Sequence, residues 1–192
     1  NDNSQIKNEN ISILFLGTGC AIPSCHRSNS AILFQLKDPI QLNLTSTILL
    51  DVGESCLAQL YIACQGNTLK MRNVLNNISI IWISHHHADH HSGLAHLLEE
   101  IFKIKQNTNN ENNTNNTNNH RILIIAPVSV IAYHQYLMCI GGYDEIVDFI
   151  PIEKTTTGRN FDAIIQTKIL TLSKGLIQKL QSIRVEHCKD SF

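Results

Sequence analysis

The seven residues from His85 to His91, "HHHADHH", hold five histidines and one aspartate between two apolar segments. On one side lies the run "ISIIWIS" from Ile78 to Ser84, which reads as a buried strand. On the other side Leu94, Leu97, Leu98, Ile101 and Phe102 recur at helical spacing behind Ser92, a residue able to cap the helix. The cluster therefore occupies a strand-to-helix turn, where rigid flanking elements can hold reactive side chains.

His85 and His87 are two apart, so in an extended turn their imidazoles point the same way and can share one metal ion. Asp89 and His90 lie where the chain bends into the helix and can turn toward a second ion. Imidazole nitrogen with one carboxylate suits zinc best, with manganese or iron as alternatives. A solvated or adventitious histidine tract is the competing reading, and the specific HxHxDH spacing between strand and helix weighs against it. His86 and His91 fall outside that spacing and are expected to support the ligands or face solvent. His26, His96, His120 and His134 have no ligand-like companion and are expected to be structural or exposed. His187 ends an expected strand inside "VEHCKDSF" and is the preferred further ligand; its neighbour Cys188 points to the opposite face and is expected to pack.

At 192 residues, 43% of them hydrophobic, the chain can build one substantial core, which makes a single globular domain the default. Its net charge of −1 supplies no global positive field for a polyanion, so any nucleic-acid contact must be local. The six cysteines form no CxxC pair, which favours reduced thiols in an intracellular protein. No apolar run approaches the roughly 20 residues that span a bilayer, and no signal-peptide pattern opens the chain. The chain begins at Asn1 without an initiator Met and reads as a piece of something longer.

Strands are expected at Ile11 to Leu16, Ala31 to Leu36, Thr45 to Gly53, Arg121 to Pro127, Glu145 to Pro151, Ala163 to Leu172 and Leu180 to His187. A helix is expected where Leu57, Leu60, Tyr61 and Cys64 line one face before Gly66, and another from Pro127 to Gly141-Gly142. From Asn107 to Asn119 nine of thirteen residues are Asn and none is apolar, so residues 106–120 are expected to form a disordered surface insertion. Its Asn-x-Thr matches are read as accidental, since a glycan site would require secretion. Gly17-Thr18-Gly19 is weak as a phosphate cradle and better read as a strand-ending turn that lets the backbone pass close to the metal site. The mixture of elements points to an α/β sandwich.

The stretch "SHHHADHHSGL" resembles the second motif of the metallo-β-lactamase superfamily, which implies an αββα sandwich with one or two metals at its rim. Within it, "FLGTGCAIPSCHRSNSAILF", "ILLDVGESCLAQL" and "VEHCKDSF" are similar to the tRNase Z family of 3′ tRNA-processing endoribonucleases. The resemblance runs from Leu14 to Phe192, except for the Asn-rich insertion and Thr155 to Asp162, and is closest to the carboxy-terminal, catalytic half of the long form. It implies that His85, His87 and His187 ligate one zinc and Asp89 and His90 the other, with Asp89 also taking the proton of the attacking water. It further implies that the loop "IPSCHRSNS" senses the tRNA 3′ end through Arg27. Ser28 and Cys25 stand where the family has asparagine and lysine, and Asn29 is the candidate replacement for the missing amide. A bridging aspartate and a last histidine follow the third motif in the family, whereas this chain stops at Phe192, so the sandwich is expected to be incomplete at its C-terminus and the second zinc site short of ligands.

Those resemblances imply a zinc-dependent removal of the 3′ trailer from precursor tRNA, with manganese as an alternative metal. An amino-terminal half of a long-form enzyme or a second copy would be the protein partner, in the nucleus or the mitochondrion, otherwise the cytoplasm. The competing expectations are another hydrolase of the superfamily, acting on a lactone, thioester or small phosphodiester, and a catalytically inactive fragment.

Overall fold

The computed structural model describes residues 10–24, 26–38, 44–111, 121–152, 163–173, 175 and 177–178. Among the described residues six strands form one sheet in sequence order: β1 (Ile11–Gly17), β2 (Ala31–Lys37), β3 (Leu44–Leu50), β4 (Ile78–Trp82), β5 (Ile122–Pro127) and β6 (Val147–Ile152). β1, β2 and β3 pair antiparallel, whereas β3 to β6 run parallel. The parallel strands are joined by α1 (Cys56–Ala63) with α2 (Thr68–Asn76), by α3 (Leu94–Glu111) and by α4 (Val128–Gly141), and α5 (Ala163–Leu172) follows β6.

The strand sequences explain this division. Every residue of β5 is buried, as an interior parallel strand covered on both faces requires, while β1 alternates. On one face Leu16, Leu33, Leu49, Ile81 and Ile124 pack with Leu60 of α1, Leu75 of α2, Leu97 and Ile101 of α3, and Met138 of α4. On the other, Ile80, Leu123, Ile125 and Ile152 pack with Ile169 of α5. Each such side chain stabilises the fold by about 1.5–3 kcal/mol on burial. Gly142, in the left-handed conformation at φ 70°, ends α4 where the glycine pair was expected to.

Three expectations change. Ala163 to Leu172 is a helix, not a strand: Ile165, Ile169 and Leu172 recur at i, i+4, i+7 toward the second core. The Thr167 and Thr171 hydroxyls donate to the carbonyls four residues back, which accommodates two β-branched polar residues in the helix. α2 was not expected at all; Asn67 caps it by accepting from the Lys70 amide at 3.0 Å. Finally, α3 continues through Glu111 and so includes the first residues of the expected disordered insertion. Once the Leu94–Ile104 segment is anchored in the core, each added helical residue gains a hydrogen bond without a new nucleation cost. The rest of the insertion, residues 112–120, lies outside the described residues, as do the expected strand Leu180–His187 and Cys188.

Candidate metal centre

The histidine turn leaves the carboxyl end of β4 beside the carboxyl end of β3, the edge of a parallel sheet where ligands commonly bind. Asp51, the residue after β3, has a left-handed backbone, φ 58°, a conformation that aspartate tolerates better than most residues. That kink turns its carboxylate back across the sheet edge. Oδ1 accepts the Ser84 amide at 2.8 Å, and Oδ2 accepts the Ser84 hydroxyl at 3.0 Å and His90 Nδ1 at 2.7 Å. With its proton given to Asp51, the Ser84 hydroxyl oxygen accepts from His85 Nδ1 at 3.0 Å. One carboxylate thus fixes both rings with Nδ1 protonated and Nε2 bare, the form in which a histidine binds a metal.

The bare nitrogens are directed at partners. His85 Nε2 faces His87 Nδ1 at 3.0 Å, close to the separation of two nitrogens that each lie about 2.0–2.1 Å from one zinc ion. His90 Nε2 faces Asp89 Oδ2 at 3.5 Å, and the His85 and His90 ring centres are 4.0 Å apart. The two pairs expected from the spacing therefore stand side by side. Among the described residues no three such side chains already form one ligand set, and His187, the third expected histidine, lies outside them. The donor types and their orientation nonetheless fit a zinc centre.

The backbone packs the site closely. The Ala21 amide, two residues past Gly19, donates to Asp89 Oδ2 at 2.7 Å. Gly17-Thr18-Gly19 is not the expected turn but continues the strand edge, with Gly17 paired to Ala31 and Gly19 bridged to Asn29. A Cβ at Gly53 would stand 2.4 Å from both Asn29 Cβ and the Asp89 carbonyl oxygen, so only glycine fits where the end of β3 meets the histidine turn. Burial works against a charged Asp89, but the Ala21 amide and then His90 outweigh it and hold its pKa below the usual value. Burial likewise works against a charged His90, and the Asp51 hydrogen bond and charge overcome it and raise the pKa.

Arg27 is exposed at the closing end of a tight turn, where Ser24 and Arg27 bond to each other. Asn29 is 1% exposed with no partner for Nδ2, so it can serve a bound molecule only through the loop that it holds against Gly17 and Gly53. His86 and His96 are exposed, His91 and His134 buried, and His26 exposed. Sequence reasoning gave no role to Asp51, Ser84 or the Ala21 amide. Its available signal was the polar Asp51 at the end of an apolar strand, before a glycine.

Comparisons with known proteins show what the chain is similar to in sequence and fold. A family model described as "Anti-Pycsar protein Apyc1" matches residues 11–115. "Zinc phosphodiesterase ELAC protein 2" of Macaca fascicularis is 27% identical over 183 residues, 94% of this chain and 20% of the relative. "tRNAse Z TRZ4, mitochondrial" of Arabidopsis thaliana is 41% identical over 95 residues, 48% of this chain and 9% of the relative. The chain spans about a fifth of the length of the first of these. In fold it is similar to a long-form RNase Z from yeast (TM-score 0.72, 20% identity, 99% of this chain and 27% of that one). It is also similar to the metallo-β-lactamase fold protein YhfI from Bacillus subtilis (TM-score 0.50, 17% identity, 80% and 50%). The fold is that of the metallo-β-lactamase proteins.

Proposed function

The chain belongs to the family described as Anti-Pycsar protein Apyc1, and we propose that it carries the metal centre of a zinc-dependent endoribonuclease that removes the 3′ trailer from precursor tRNA. The observation that carries the reading is the convergence of His85 with His87, and of His90 with Asp89, on one turn oriented by Asp51. The names of the relatives, a zinc phosphodiesterase and a tRNase Z, supply the substrate class.

Zinc bound by His85, His87 and His187 on one side and by Asp89 and His90 on the other would activate water and stabilise charge on the phosphoryl centre, with manganese a second suitable ion. The chain's own residues prepare that chemistry. Asp51 and Ser84 hold the protons of His85 and His90 on Nδ1, away from the metal side. The Asp89 carboxylate, kept ionised, takes the proton of the attacking water. Arg27, projecting from its turn, contacts the tRNA 3′ end, and Asn29 keeps the base of that loop in place. The partners are precursor tRNA and either an amino-terminal half-enzyme or a second copy. The site of action is the mitochondrion or nucleus, in line with a mitochondrial relative. Among the described residues no helix is long and apolar enough to cross a membrane.

The test is cleavage by the full-length protein, offered precursor tRNA alongside a lactone, a thioester and a small phosphodiester. Zinc-dependent release of the trailer, at least 100-fold slower in Asp89→Ala, is the expected result, on the order that general-base catalysis supplies. Turnover confined to one of the small substrates would replace this reading with the other hydrolase.

A further inference from the structure

His91 and His134 lie behind the metal-facing side of the turn. His91 is 7% exposed and His134, on α4, is 1% exposed. His91 Nε2 is 3.0 Å from the His86 carbonyl oxygen, and His91 Nδ1 is 2.9 Å from His134 Nε2. A carbonyl only accepts, so the His91 proton sits on Nε2 and its Nδ1 is bare. The proton in the second contact must then come from His134 Nε2, which leaves His134 Nδ1 as the bare atom. That atom is buried and without a partner, the arrangement that a neutral ring with its single proton on Nε2 accounts for. The direction of the chain is therefore determined: His134 donates to His91, and His91 donates to the His86 carbonyl. Tyr133 packs edge-on against both rings, with centroids 5.9 Å from His91 and 5.0 Å from His134.

The two anchor points have a consequence for the site. The His91 side chain closes a ring across residues 86–91, and His87, Asp89 and His90 are all strung inside it. Resting on the metal-centre reading above, we infer that His134 is a positioning residue. By fixing the His91 ring it holds the width of the ligand turn, and so the placement of the His85/His87 pair relative to Asp89/His90. Removal of the donor would leave His91 Nδ1 buried without a partner and free the ring to turn away from His86. Groups that orient metal ligands from behind typically change metal affinity 10–100-fold when lost.

The discriminating variants, in the full-length protein, are His134→Gln, whose side-chain amide can place a donor where His134 Nε2 stands, and His134→Leu, of similar bulk without a donor. Zinc affinity is read by competition with a chelator. His134→Gln should match the wild type within about 2-fold and His134→Leu should bind about 10–100-fold more weakly. Imidazole nitrogen resonances of the metal-free protein should show both rings neutral with the proton on Nε2, a readout that decides the matter even if His134→Leu does not fold. A proton on His91 Nδ1, or a glutamine variant as weak as the leucine one, would overturn the inference. Equal affinity in all three proteins would overturn it alone, whereas a wild type that binds no zinc would overturn the metal centre with it.

Discussion

Asp51 is one residue with three acceptor contacts, and its loss should be felt at a distance from its own backbone. Asp51→Asn keeps the shape but cannot accept from Ser84 twice and from His90 together while presenting a donor of its own. In a chelator competition the variant should fold normally and hold zinc about 10–100-fold more weakly. Gly53→Ala is a steric counterpart: a Cβ 2.4 Å from the Asp89 carbonyl forces the turn to move. It should cost about 1–3 kcal/mol in urea unfolding. His134 adds a pH dependence. Burial, and then the neighbouring His91, push its pKa down from 6.5 to about 4. Its folded value lies below the unfolded one, so the unfolded chain takes up the proton first as pH falls. The associated stability is complete above 6.5 and is lost between there and about 4, on the order of 3 kcal/mol. Urea midpoints of the metal-free protein at pH 7 and 4.5 should differ less in His134→Gln than in the wild type.

The pairing of the candidate ligands, His85 with His87 and His90 with Asp89, could be read from the sequence because HxHxDH is a local pattern whose geometry follows from a strand running into a turn. The residues that orient them could not. Asp51 and Ser84 are 33 apart in the chain and His91 and His134 are 43 apart, and those distances close only through the register of β3 with β4 and the packing of α4.

At the scale of elements, strand positions were clear wherever an apolar run was short and bounded, as in β4 and β5, since only a covered parallel strand needs apolar residues at successive positions. α5 was not, because a ten-residue segment rich in Ile and Thr satisfies a strand's composition as well as a helix's spacing. Its helical packing has a direct test: Ile169→Ala, at a fully buried position, should lose about 2–5 kcal/mol of stability. The insertion divides at Glu111. Deleting residues 112–119, eight polar residues, should change stability by less than about 0.5 kcal/mol, because loop closure depends weakly on length. Starting the deletion at Asn107 would shorten α3 and should cost more, a difference that paired thermal melts would reveal.

At the scale of the whole molecule, the described residues cover the sheet face opposite α1–α4 unevenly. α5 covers β4 to β6, while Ile11, Ile13 and Phe15 of β1 are 53%, 53% and 63% exposed, on the face opposite the buried Leu16. An apolar row of this kind promotes association, so the protein should self-associate through it, and Ile13→Lys with Phe15→Lys should reduce light scattering without altering the fold. The central claim is that the turn from His85 to His90 holds metal in two pairs of ligands. Its most direct measurement is zinc content per chain in the full-length protein, for the wild type and for Asp89→Ala. About two ions in the wild type, falling to about one with the His85/His87 side still occupied, is the expected result. A wild type without zinc, manganese or iron, or an Asp89→Ala protein that retains the full complement, would contradict it.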